Sequence, residues 1–157
     1  MTKLREQFLT TLFWMPPLVV LFLFEFFLGH RHDYSGHYLA GYGATFIAAM
    51  LGLRVAWGTS FRRWIPYFIV PFCLLCILGG VVTEATLFRL AKFDEVDFFN
   101  QSLGAVLAML VVQIFVDTSQ TTFDITNFNS EAMARWCDGG IVLGVIYLGI
   151  GGFLAFA

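Results

Sequence analysis

Five apolar runs, each close to the length of one bilayer crossing, limit what this chain can fold into. A helix needs about 20 predominantly apolar residues to cross the ~30 Å hydrocarbon core. Runs of that kind extend from about Phe8 to Gly29, His37 to Trp57, Trp64 to Phe88, Phe98 to Val116 and Gly139 to Phe156. In lipid every backbone N–H and C=O must be paired within the protein, which leaves helices and closed barrels as spanning structures. The expected fold is therefore all-α, a polytopic transmembrane bundle of about five helices forming a single domain over residues 1–157. Pro16-Pro17 is expected to kink the first helix or mark a break in it. The fourth span carries Asn100, Gln101 and Gln113, with Leu103–Val112 as its apolar stretch.

Composition agrees with lipid as the solvent. Apolar residues make up 59% of the chain and charged residues 13%, against roughly 45–50% and about 25% in soluble domains. Nine Lys and Arg with eleven Asp and Glu are too few to cover a water-facing surface of this size. The net charge of −2 and the lack of a basic stripe give no reason to expect nucleic acid. Lys3 and Arg5 before an apolar run resemble the start of a secretory signal. The run is long, however, contains Phe24-Glu25-Phe26-Phe27, and is followed by no small-residue cleavage pattern, so it reads as a retained first helix.

Lys and Arg set the expected orientation. Lys3 and Arg5 precede the first span, and Arg54, Arg62 and Arg63 fall between the second and third. Both places are expected on the cytoplasmic side, with the N-terminus in and the C-terminus out. The His30–His37 turn and the Phe88–Asp97 loop then face outward, and Asp117–Cys137 faces inward. Within that inner stretch, Ser130–Trp136 is expected to form a short interfacial helix capped by Asn129 or Ser130.

All three histidines lie in His30-Arg-His-Asp-Tyr-Ser-Gly-His37. If the second helix starts near Asp33, then Asp33 and His37 share a face four residues apart. A carboxylate beside an imidazole can orient a general base or supply two metal ligands. The same residues also suit a wet interfacial turn. Glu84, near the end of the third span, is the best single candidate, because intramembrane carboxylates usually face the bundle interior and have a partner. Arg89, His37 and His32 are its candidate partners, and Glu25 is a second carboxylate of this kind. Asp94, Glu95 and Asp97 fit ordinary helix-start chemistry, while Asp97 and Gln101 share a face one turn apart. Cys73-Leu-Leu-Cys76 reads as packing rather than a redox motif. Gly140-Ile-Val-Leu-Gly144 offers a small-residue helix contact, within the bundle or with another subunit.

Asp33-x3-His37 opens one helix, Glu84 and Arg89 lie at the end of the next, and Asp97-x3-Gln101-Ser-Leu-Gly104-Ala follows. Over about residues 33–112 this order resembles the VanZ-like family of small bacterial membrane proteins. It departs from the family pattern at Gln101, where asparagine is usual, and at Leu87, where a glutamine is expected. The resemblance implies an envelope protein connected to glycopeptide resistance or cell-surface lipid chemistry, with no settled enzymatic activity. It further implies that Asp33, His37, Glu84, Arg89, Asp97 and Gln101 meet at one ligand-binding site in the outer leaflet. Two other classes remain open. One is an accessory subunit that binds other membrane proteins through its Phe-rich and Gly140/Gly144 faces. The other is a membrane-embedded metal-dependent enzyme. Neither a catalytic residue nor a cofactor is marked by the sequence.

Overall fold

The computed structural model describes residues 3–87, 94–121 and 130–156. Among these are five α-helices: α1 (Lys3–Leu28), α2 (His32–Ala56), α3 (Ile65–Leu87), α4 (Glu95–Thr121) and α5 (Ser130–Phe156). A short 3-10 turn, Ser60–Trp64, links α2 to α3. All five helices are long and apolar enough to cross a membrane. At 1.5 Å per residue, the 27 residues of α4 extend about 40 Å. That exceeds a hydrocarbon core, so polar residues at both of its ends remain helical beyond the apolar stretch.

The bundle is arranged around α2, which packs chiefly on α5 and α4. Glycine allows this closeness. A Cβ added at Gly36 would fall on the Ala155 backbone, and one at Gly43 would meet Leu148 N at 2.5 Å and Gly144 O at 2.7 Å. Gly144 in turn lies against Ile47 and the Gly43 carbonyl. The small-residue face of α5 is thus used inside the bundle, with α2 and α5 antiparallel. On the other side of α2, Gly104 of α4 sits against the Tyr38 carbonyl. Backbones that approach this closely gain dispersion contacts where the hydrophobic effect offers little to hold helices together.

Pro16 and Pro17 lie inside an unbroken α1. Lacking an N–H, Pro17 leaves the Phe13 carbonyl without its normal i+4 donor. The Tyr147 hydroxyl of α5 donates into that gap, 3.5 Å from Phe13 O and 3.3 Å from Trp14 O. Tyr38 Oη donates to Pro17 O at 3.4 Å. A neighbouring helix thus supplies a donor at the Phe13 carbonyl that Pro17 leaves open, the kind of replacement a membrane interior requires. The Phe13 ring fixes the same region, packing edge-on against Phe46, Phe115 and Trp136 with centroids 5.2, 5.1 and 5.6 Å away.

Candidate functional site

The site lies at the end of the bundle where α2 and α4 begin and α5 finishes. The chain enters α2 at His32, which puts Asp33 in its first turn. Arg31 grips Asp33 with a two-pronged contact, Nε to Oδ1 at 3.1 Å and Nη2 to Oδ2 at 2.8 Å. Its guanidinium also sits 3.8 Å from the Tyr34 ring centroid. The hydrogen bond from Arg31 to Asp33 raises the arginine further above its ordinary pKa. Asp33 and His37 do share a face, but Asp33 takes Arg31 as its partner. A rigid guanidinium fork two residues away matches a carboxylate better than an imidazole one turn on.

His37 instead faces α4, with Nε2 3.4 Å from Asp97 Oδ2 and both side chains about four-fifths buried. The helix start of α4 separates three acidic residues by role. Asp94 Oδ1 accepts from the backbone N–H of Val96 at 2.8 Å and of Asp97 at 3.4 Å, which makes it the cap. Glu95 is exposed. Asp97 turns inward, toward His37. Its other oxygen, Oδ1, is buried without a hydrogen-bond partner among the described residues. One turn on, Gln101 lies over Gly80 of α3, where an added Cβ would come within 2.8 Å of Gln101 Nε2. Gln101 Oε1 and the Nδ2 of neighbouring Asn100 are buried and also without partners among the described residues. Leaving such a group unpaired costs about 1–3 kcal/mol, so three in two turns of α4 form a concentrated source of hydrogen-bonding potential.

Beside them is a cavity of about 430 Å³ between α2, α3, α4 and α5. His37, Thr45, Cys76, Gln101 and Ser102 supply its polar lining, and Gly41, Gly79, Gly80, Ile77 and Leu148 form part of the rest. Ser102 is already engaged, donating to Phe98 O at 2.8 Å. A mostly apolar wall with a few convergent polar atoms suits an amphiphilic ligand. The imidazole–carboxylate pair can also position a proton donor or acceptor.

Of the six residues expected at one site, His37 and Asp97 pair directly, and Gln101 lines the same cavity as His37. Asp33 and Arg31 remain within electrostatic reach of Asp97. Glu84 lies in α3, but its side chain and the whole of Arg89 fall outside the described residues. Glu25 ties α1 to α2, accepting from Ser35 Oγ at 2.6 Å and lying 2.8 Å from His32 Nδ1. Thr45, Cys76 and Asn100 were not singled out from the sequence as site residues. The Gly79-Gly80 pair was the available signal for Cys76, since it marks where α3 makes room for a side chain from α4. The other member of the CxxC pair, Cys73, is turned toward the Ala105 carbonyl, 3.9 Å away. Among the described residues no group of three His, Cys, Asp or Glu side chains is placed to hold a metal ion.

No family model, curated protein or solved structure matches this chain.

Proposed function

We propose that this chain is a multi-pass protein of the bacterial inner membrane that holds a lipid-linked envelope molecule in the cavity beside His37, Asp97 and Gln101. The observation that carries this reading is a 430 Å³ cavity lined by His37 and Gln101, where Gln101 Oε1 is a buried acceptor without a partner among the described residues and Asp97 backs His37 from α4. A ligand with hydroxyl or amide donors on its head and an apolar tail satisfies both Gln101 Oε1 and the glycine- and alanine-rich wall. The partial resemblance to VanZ-like proteins over about residues 33–112 points to the same class of ligand. The basic residues Arg54, Arg62 and Arg63 gather at the opposite end of the bundle, which supports an outward-facing cavity by the positive-inside rule.

A second reading draws on α1. Phe22, Phe26 and Phe27 are exposed on it, and an uncovered aromatic helix also suits a subunit that docks against another membrane protein. One experiment separates the two. The tagged protein is purified gently from its native membrane and its proteins and lipids are identified together by mass spectrometry. A lone chain carrying a lipid-linked molecule, lost in Asp97→Asn, supports the ligand site. Stoichiometric partner subunits with no retained lipid-linked molecule support the accessory role.

A further inference from the structure

At the opposite end of the molecule, a second cavity opens between α2, the 3-10 turn, α3 and α4. It measures about 300 Å³ and is almost wholly apolar, walled by Leu53, Phe61, Ile65, Phe68, Ile69 and Met109. The turn beside it is well defined. Thr59 caps it, its Oγ1 accepting from Phe61 N at 3.2 Å, and Arg62 N donates to Thr59 O at 3.2 Å. Phe61 is therefore held at the mouth of the cavity with Arg62 and Arg63 directly after it.

Those two arginines are cations without an acidic partner among the described residues. Arg54, the third basic residue at this end, is 3.1 Å from Asp138 and so already neutralised. Arg62 instead lies over the Trp57 ring, 4.2 Å from its centroid, and Arg63 is 5.5 Å from that of Trp64. Stacking on indole keeps a guanidinium fixed while leaving its N–H groups available for an anion. Trp64 and Tyr67 are also exposed at this level, as is common where a helix meets headgroups.

We infer that this end of the protein is a binding site for an anionic glycerophospholipid, with its phosphate on Arg62 and Arg63 and an acyl chain in the groove behind Phe61. The charge decides the occupant. A zwitterionic lipid brings its own cation and gains less from two unpaired arginines, whereas a net negative headgroup complements both. The site is separate from the cavity beside His37 and does not depend on what that cavity binds.

The test uses the full chain in detergent, exchanged into mixed micelles of phosphatidylglycerol and phosphatidylcholine, with retained lipids counted by native mass spectrometry. Wild type is expected to retain phosphatidylglycerol over phosphatidylcholine by about tenfold or more. Arg62→Gln with Arg63→Gln removes the preference. Gly52→Leu fills the groove from α2, where an added Cβ meets nothing within 4 Å, and so reduces retention of both lipids without disturbing the fold. Asp97→Asn leaves the preference intact. Equal retention of the two lipids by wild type, persistence of the preference in the double variant, or unchanged retention in Gly52→Leu overturns the proposal.

Discussion

His37 and Asp97 each offered more than one partner in the sequence, and the residue scale shows how geometry chose. Spacing placed Asp33 and His37 on one face of α2, but the Arg31 fork reached Asp33 first, at 2.8 Å. Three acidic residues opening α4 looked alike as helix-start charges, yet Asp94 became the cap and Asp97 turned to His37. Which residue types gather at this end was therefore legible, and their pairing was not, because pairing depends on how two helices rotate about their axes. Asp97→Asn keeps the size and removes the charge. With a hydrogen bond to a charged group contributing about 1.5–3 kcal/mol, ligand retention should fall about tenfold or more, measured by lipid mass spectrometry on equal amounts of folded protein. Tyr147→Phe removes the donor that replaces Pro17's missing N–H. It should destabilise the protein by about 1 kcal/mol, read as a lower unfolding midpoint in detergent; an unchanged midpoint contradicts that account of the double proline.

At the scale of the element, apolar run length located all five helices but misjudged their ends. The first helix begins at Lys3 rather than Phe8, the fourth runs to Thr121, and the expected short helix at Ser130–Trp136 is the opening of α5. Hydropathy reports the thickness of the hydrocarbon, whereas a helix stops where its hydrogen bonding stops. Pro16-Pro17 was expected to kink α1 or mark a break in it; the helix runs unbroken through both, and Tyr147 of α5 donates toward the Phe13 carbonyl that Pro17 leaves without a backbone donor. The glycine contacts give a paired prediction. Gly43→Ala meets backbone of α5 that cannot step aside, so overpacking should cost about 1–3 kcal/mol. Gly149→Ala, with nothing within 4 Å of its added Cβ, should leave the unfolding midpoint unchanged. Equal behaviour of the two variants would remove the close α2–α5 seam from the account.

Across the whole molecule, the two least apolar spans are the two most buried. The least apolar of the five spans, α2, has half of its membrane-length window buried, as does α4, while α1 has 11% and the most apolar, α3, has 22%. Polar and glycine-rich helices occupy the middle because there they find partners and close packing, and Phe- and Leu-rich helices face outward because lipid accepts them. The residues behind that pattern are Ser35, Gly36, Gly41, Gly43 and Thr45 of α2, which were not singled out from the sequence, and they are why the cavity beside His37 lies against α2. What was not readable is the cavity itself, since a void depends on four helices meeting around small residues.

The central claim, that the cavity beside His37, Asp97 and Gln101 holds a ligand, is tested most directly by native mass spectrometry of the gently purified protein, wild type against Asp97→Asn and Gln101→Leu. The account predicts a lipid-linked molecule bound to wild type at near-unit stoichiometry and lost from both variants, which otherwise unfold at the wild-type midpoint. A wild-type protein that carries no such molecule, or variants that retain it at the wild-type level, would contradict it.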